Sequence, residues 1–244
     1  MEKRPTLPAE KIITTWKYWD DHGHPPYDNM AIDEVLLGYC FDSGLPMLRT
    51  YLWDRAAVSI GYFQKYDAIG DPSHRYIVRR PTGGGIVFHG NDLSYTVAVP
   101  RKHQFFELDR MTSYRKFSKG IQKALTRVGI FANLAIDQKP SLNSKSESFC
   151  FRNPVTHDVM YENEKIAGSA QKRNHLGLLH QGTIFLGKTP LRDHFDNFSV
   201  SLVKAFQTII GCSFTEFEPD TTFFLKAKKI SVEKYQSEAW NQKR

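Results

Sequence analysis

Three short segments of this sequence place reactive or ligand-holding side chains beside glycine. The first runs Arg79-Arg80-Pro81-Thr82-Gly83-Gly84-Gly85-Ile86-Val87-Phe88-His89. Three successive glycines admit positive φ and let backbone N–H groups approach a ligand closely. Arg80 and Thr82 alongside could hold an anion through charge-assisted and hydroxyl hydrogen bonds. The spacing is not that of a P-loop, which needs Gly-Lys-Ser/Thr. Nor is it a dinucleotide fingerprint, whose third glycine would fall on Phe88. A bare triple glycine is equally a flexible turn; the flanking arginines and His89 favour binding.

The second segment is Lys165-Ile166-Ala167-Gly168-Ser169-Ala170-Gln171. With the two-residue period of a strand, Lys165, Ala167, Ser169 and Gln171 share one face, and Ile166, Gly168 and Ala170 the other. The first face is polar yet lined by small residues, which suits a pocket wall; the alternative is a solvated strand edge with an ordinary lysine. Gln181-Gly182-Thr183 supplies a second glycine strand, and Gly168 and Gly182 would let a ligand chain lie against the sheet. The third segment is Phe149-Cys150-Phe151, after the polar stretch Asp137–Ser148. A thiol of ordinary pKa, about 8.5, is mostly protonated at neutral pH, and a nearby ammonium favours the thiolate. A hairpin after Cys150 could fold Lys165, 15 positions on, back within reach. The alternative is a buried thiol that opens a strand. Cys40 and Cys212 fall in that inert class, because both lie in or beside helical apolar patterns. Ser169 lacks a Gly-x-Ser-x-Gly elbow and is a weak nucleophile candidate.

The composition bounds what those residues can serve. The chain has 244 residues, 41% hydrophobic and 24% charged, with 33 Lys+Arg against 26 Asp+Glu for a net charge of +7. This is globular composition, long enough to bury a core. No run approaches the ~18 apolar residues of a membrane span, and the charged opening MEKRPTLPAEK is not a secretory signal, so a cytoplasmic location is expected. Three dispersed cysteines with no Cys-x-x-Cys, and nine histidines with no His-Glu-x-x-His, predict no structural metal. No stripe of basic and aromatic residues marks a nucleic-acid binder, so the positive balance points to an acidic macromolecular partner.

The elements that must carry these segments are legible in outline. A helix is predicted from an Asp28 cap towards Ser43, stopped by Gly44. A second follows a Thr112/Ser113 cap, with Tyr114, Phe117, Ile121, Leu125 and Val128 at steps of three and four and Gly129 after them. A third spans Phe198 to Ile210. Strands are predicted at Leu48–Trp53, Ala57–Ile60, Tyr76–Val78, Ser94–Val99 and Leu178–Leu186. His157–Tyr161 and Lys165–Gln171 form a hairpin about Glu162-Asn163-Glu164, and Asp137–Ser148 reads as a flexible loop. Strands outnumber helices and follow one another too closely for helical crossovers. The expected class is α+β, with a mixed, mostly antiparallel central sheet flanked by helices, in one domain.

Taken in order, these segments resemble the lipoate/octanoate branch of the biotin/lipoyl protein ligase (BPL/LPL catalytic domain) family. The resemblance also draws on Asn29-Met30-Ala31-Ile32-Asp33-Glu34, Leu48-Arg49-Thr50-Tyr51-Leu52-Trp53, Ser59-Ile60-Gly61-Tyr62-Phe63-Gln64, Tyr235 and Trp240. It implies one catalytic domain over 1–244 with a family core of about 28–240, and no accessory domain after Trp240. Cys150-Phe151 with Pro154 and Lys165 is similar to the cysteine-dependent octanoyltransferases. That resemblance implies a Cys150 thioester activated by Lys165, octanoyl acyl carrier protein as donor, and a lipoyl domain of an E2 subunit or a glycine-cleavage H protein as acceptor. No cofactor, nucleic acid or membrane is then needed. The acyl site would comprise Arg80, Thr82, Gly83, Gly84, Gly85, Ile86, Val87, Phe88, His89, Asp158, Gly168, Ser169, Gln171, Gln181, Gly182 and Thr183. Backbone N–H groups near Gly168-Ser169 would face the oxyanion. Apolar walls at Ile86-Val87-Phe88 would take the chain at roughly 0.8 kcal/mol per buried CH₂. The near relative, lipoate–protein ligase, would instead use ATP and Mg²⁺, with Arg80, Gly85–Phe88 and Lys165 on the adenylate. A non-catalytic acyl-chain or lipoyl-domain binder is the third reading. The order His180-Gln181-Gly182-Thr183 departs from the family's usual His-Gly pair and leaves the role of His180 open.

Overall fold

The computed structural model describes residues 15–70, 76–136, 154–185 and 195–243; Cys150 and the polar stretch Asp137–Ser148 lie outside them. The strands are β1 (Thr15–Asp20), β2 (Met47–Tyr51), β3 (Ala57–Ile60), β4 (Tyr76–Arg79), β5 (Val87–His89), β6 (Asp92–Pro100), β7 (Asn133–Leu134), β8 (Val159–Tyr161), β9 (Glu164–Arg173), β10 (Gly177–Phe185) and β11 (Ser213–Glu216). The helices are α1 (Pro26–Ser43), α2 (Gln104–Glu107), α3 (Arg110–Arg127), α4 (Phe195–Phe206), α5 (Thr221–Ile230) and α6 (Glu238–Asn241). Eight strands form one sheet in the order β11-β1-β2-β6-β10-β9-β8-β7, and β4-β3-β5 form a small second sheet. The pairs β1–β2, β1–β11 and β3–β4 are parallel and the rest antiparallel, so the α+β class with a mixed, mostly antiparallel sheet is borne out. One expectation is corrected: α1 is a helical crossover, because a parallel β1–β2 neighbour needs one.

Local chemistry explains the helix limits. Pro25 and Pro26 pre-set the first turn of α1, three residues earlier than an Asp28 cap would have begun it. Asp28 instead accepts the Ser231 hydroxyl from the C-terminal region. Gly44 ends α1 in the left-handed conformation, φ 72°, with its N–H on Cys40 O at 2.9 Å. The Asp109 side chain caps α3 through Thr112 N–H at 2.9 Å, ahead of the Thr112/Ser113 cap the sequence predicts.

Strand alternation divides the large sheet into two packed faces. Leu93, Tyr95, Val97 and Val99 of β6 join Leu178 and Ile184 of β10 in the main core, with Phe117, Ile121 and Leu125 of α3 and Leu202 and Phe206 of α4. On the other face Ala98 and Leu179 meet Ile32, Leu36 and Leu37 of α1 and Phe223 of α5. Gly120 allows α3 and α4 to approach, since a Cβ there would stand 2.6 Å from the Phe206 ring. The small sheet sits at the α1 side, where Ala57 and Val78 pack with Met30, Tyr51, Trp53 and Tyr235.

A clasp from the C-terminal region fixes the small sheet. The fully buried Arg79 guanidinium donates to the carbonyls of Gly61, Gln64, Trp240 and Asn241 at 3.0, 2.7, 3.2 and 2.7 Å. Asn241 Oδ1 accepts Arg79 N–H, and Trp240 Nε1 donates to Arg79 O, both at 2.7 Å. The glycine loop therefore begins from a strand anchored on both sides.

Candidate functional site

Between the two sheets lies a narrow cleft, open to solvent, with Met30 of α1 among its lining residues. Tyr51, Trp53 and Val87 make its apolar walls; Ser59, His89, Ser94, Gln181 and Thr183 supply polar groups. The alternation of β10 turns Gln181 and Thr183 to the cleft and His180 to the α3 side. The register places Gln181 beside Ala170 and Thr183 beside Gly168.

The glycine loop is folded by its own arginine. Arg80 donates to Gly83 O at 2.8 Å, Gly85 O at 2.6 Å, Ser59 O at 3.1 Å and Ser59 Oγ at 3.0 Å. Gly84 has φ 86°, and Gly61 must be glycine because a Cβ there would stand 2.0 Å from Gly84 O. The Arg80 guanidinium thus bonds internal carbonyls and shapes the loop while lining the cleft. Thr82 likewise turns inward and donates to Gln181 Oε1 at 2.7 Å, while Gln181 Nε2 donates to Asp33 Oδ2 at 2.7 Å. Asp33 pairs at 2.7 Å with the buried Arg49, which also meets Asp21 at 2.7 Å and lies 4.0 Å from the Tyr51 ring centroid. A chain of polar contacts thus runs from the glycine loop through β10 into α1.

Under the opposite wall, His89 is fixed at both ring nitrogens, 2.8 Å from Ser59 Oγ and 2.7 Å from Asp92 Oδ2. Trp53 stacks on it at 3.8 Å and donates its indole N–H to Ser94 Oγ at 2.9 Å. Burial opposes ionisation of Asp92, yet the adjacent His89, the Thr183 hydroxyl and Gly90 N–H together hold its carboxyl below the usual range.

Lys165 reaches the cleft side through a backbone irregularity. The hairpin turns through Glu162 and Asn163, with φ 48° and 66°. Val159 then pairs with Ala167 but Met160 with Lys165, leaving Ile166 as an extra residue in β9. Ile166 and Ala167 both enter the main core, and the faces exchange. Lys165 consequently shares the face of Gly168 and Ala170 rather than that of Ser169 and Gln171, which corrects the simple alternation. A Cβ on Gly168 would stand 2.4 Å from Lys165 Cε and 2.7 Å from Nζ, so the lysine lies across that glycine. Its ammonium pairs with Asp158 at 2.7 Å, with both side chains almost fully buried. Asp158 is held in turn by Val155 N–H at 2.8 Å and the Tyr114 hydroxyl at 2.9 Å. Burial first, and the Asp158 charge second, push the Tyr114 pKa well up, so that hydroxyl keeps its proton.

The sequence-predicted residues thus fall into distinct places. Arg80, Gly84, Val87, His89, Gly168, Ser169, Gln181, Gly182 and Thr183 line the cleft. Gly83 and Gly85 contribute carbonyls to Arg80, and Asp158 holds Lys165. Ile86 packs with Val58, Ile60 and Ile77, and Phe88 is exposed, so of the three predicted wall residues Val87 alone faces the cleft. Gln171 faces α3, within 3.3 Å of Ser113 Oγ. Ser169 N–H points at Tyr114 Oη, 3.3 Å away. His180 is buried against Phe117 and Tyr95, and burial lowers its pKa to about 3. Met30, Tyr51, Trp53, Ser59 and Ser94 were missed by the sequence reading. Among the described residues no group of three His, Cys, Asp or Glu converges to hold a metal, and no helix is long and apolar enough to cross a membrane.

Comparison with known proteins places this geometry in context. The family described as the lipoyl protein ligase A/B catalytic domain matches residues 25–231. Octanoyltransferase LipM of Bacillus subtilis (strain 168) is 36% identical over 182 residues, 70% of this chain and 66% of that protein. The chain thus spans just under two thirds of that relative. Lipoate-protein ligase A bound with ATP superposes with a TM-score of 0.74 at 21% identity, over 93% of this chain and 98% of that one. The bi-partite lipoate protein ligase of Thermoplasma acidophilum, described with its E2 lipoyl domain, gives a TM-score of 0.68 at 20% identity over 94% and 96%. At those identities the two structures establish the fold.

Proposed function

The chain belongs to the lipoyl protein ligase A/B catalytic domain family, and from that premise we propose that it is a cytoplasmic acyltransferase of protein lipoylation. Residues 1–244 act as one catalytic domain that moves an octanoyl group from acyl carrier protein to a lysine of a lipoyl domain. The observation that carries this reading is the buried Lys165–Asp158 pair lying across Gly168, a residue of the cleft wall. Similarity to octanoyltransferase LipM supports the same choice.

Cys150 is the acyl acceptor in this mechanism, and Lys165 favours its thiolate by opposite charge. The thiolate attacks the thioester carbonyl of the donor. A C–S bond to Cys150 forms, the C–S bond to the carrier breaks, and the carrier thiol leaves with the proton that Cys150 gave up. The acceptor amine then attacks the acyl-enzyme; an amide forms, and the amine's proton returns to the Cys150 sulfur. Tyr51, Trp53 and Val87 shelter the chain. An ATP-dependent route fits these residues less well. The Arg80 guanidinium is bonded to loop carbonyls, so a triphosphate would compete with partners already in place there.

Intact-mass analysis after mixing the protein with octanoyl carrier protein, without ATP, tests the reading. A hydroxylamine-labile adduct absent from Cys150→Ala is expected. No adduct, together with ATP-dependent lipoylation by Cys150→Ala, would overturn it in favour of a ligase.

A further inference from the structure

Beyond the bulge, β9 keeps regular alternation, so Lys172 lies on the face of Gly168 and Ala170. It stands about 7 Å along the strand from Ala170, a cleft residue. There it meets groups from two other elements. Its ammonium is 6.0 Å from the Tyr62 ring centroid, and Tyr62 N–H donates to Thr82 O of the glycine loop at 2.8 Å. Lys243 Nζ is 3.5 Å from both the Tyr62 and Trp240 rings, and Lys234 Nζ is 4.2 Å from Trp240. Three ammonium groups therefore gather over one aromatic pair at the rim. Glu34 bonds Lys234 at 2.6 Å and also takes the Tyr235 hydroxyl at 2.6 Å. Phe63, 70% exposed, stands edge-on to Tyr62 at 5.0 Å. An exposed aromatic beside clustered cations at the mouth of a cleft is the composition of a docking rim for an acidic protein.

Two proteins, a carrier and an acceptor, enter the proposed reaction, and geometry chooses between them. A carrier delivers its acyl group on a flexible arm, so its folded body can stand back from the mouth. An acceptor attacks with its own lysine, whose four-carbon stem reaches only about 6 Å beyond its backbone. The acceptor must therefore press its surface against the rim. We propose that Lys172, Lys234 and Lys243, with Tyr62 and Phe63, form the docking surface for the acidic face of the acceptor lipoyl domain around its target lysine. This rests on the acyl-transfer reading and adds the place where the acceptor sits.

The test measures binding and turnover separately. A purified apo lipoyl domain is titrated calorimetrically into the full chain at low and physiological salt, and acceptor KM and kcat are measured with octanoyl carrier protein as donor. In Lys172→Glu/Lys243→Glu, Kd and acceptor KM should rise about tenfold or more and the salt dependence should flatten, with kcat at saturating acceptor held within about threefold. Lys172→Gln should shift KM in the same direction by a smaller factor, which covers misfolding of the double variant. Unchanged Kd and KM would overturn the assignment, as would a rise confined to the carrier's KM. If the wild-type protein binds the lipoyl domain through this rim yet transfers no octanoyl group, the docking surface stands and the acyl-transfer reading falls.

Discussion

Replacing Gly168 by alanine adds one methyl group and asks how closely the lysine must lie. Gly168 is in the extended backbone of β9 and is not among the residues of positive φ, so alanine meets no backbone strain. Its Cβ would nevertheless stand 2.4 Å from Lys165 Cε, whereas ordinary contact begins at 3.4 Å. The lysine end must retreat by about 1 Å, and its 2.7 Å bond to Asp158 must stretch with it. Full loss of the pair, as in Lys165→Met, would leave Asp158 buried without a counter-charge and cost about 3–5 kcal/mol. A stretched pair costs less, and alanine's lower entropy loss on folding returns roughly 0.5–1 kcal/mol. The expected net loss is about 1–2 kcal/mol, a Tm drop of roughly 3–6 °C at this chain length. Activity should suffer far more, because a 1 Å misplacement of a catalytic group costs about 100-fold. Single-turnover octanoyl transfer and thermal melting on the same preparations measure both quantities. A Gly168→Ala enzyme with the wild-type rate would refute the claim that the ammonium works from its place across this glycine.

Tyr114→Phe removes the hydroxyl that holds Asp158 at 2.9 Å, a hydrogen bond to an ionised group worth about 1.5–3 kcal/mol; urea unfolding should show that loss. A stability equal to wild type would mean the hydroxyl is replaceable there. His180 titrates in the opposite sense to an ion-paired histidine. Burial lowers its pKa from 6.5 to about 3, so the folded protein refuses a proton that the unfolded chain accepts. Stability is untouched by this group above pH 6.5 and falls below it by about 1.4 kcal/mol per pH unit until about pH 3. His180→Leu also removes the Nδ1 atom that lacks a hydrogen-bond partner, so it should stay within about 1 kcal/mol of wild type at pH 7. Its stability should then decline less steeply on acidification, and parallel slopes in urea titrations between pH 6.5 and 4.5 would contradict the assignment.

The sequence pattern carried some of this architecture and missed other parts for physical reasons. Ala57–Ile60 and the hairpin about Glu162-Asn163 are legible because a continuous apolar run and left-handed turn residues speak locally. Thr15–Asp20 carries no strand signal, since its buried positions, Trp16 and Trp19, do not alternate. Ile166 as the extra residue of a bulge has no compositional sign, yet it decides which face Lys165 occupies. Arg80 and Thr82 look like ligand holders in one dimension. Only the folded loop reveals that carbonyls and Gln181 already occupy them. The missed cleft residues Met30, Tyr51, Trp53 and Ser59 come from α1, β2, β3 and the turn after β2, which no local window joins. All four nonetheless sit inside the family-like segments Asn29–Glu34, Leu48–Trp53 and Ser59–Gln64.

The clasp on Arg79 has a temporal consequence. Its partners Trp240 and Asn241 stand 161 and 162 residues further along the chain. Contacts of such separation close slowly, after the loop entropy has been overcome. A nascent chain still lacking those two residues would carry its triple glycine unmoored, with one wall of the cleft unset. Competence for chemistry then waits for the residues of α6, and a proteolytic nick ahead of α6 should abolish octanoyl transfer while leaving the large sheet intact.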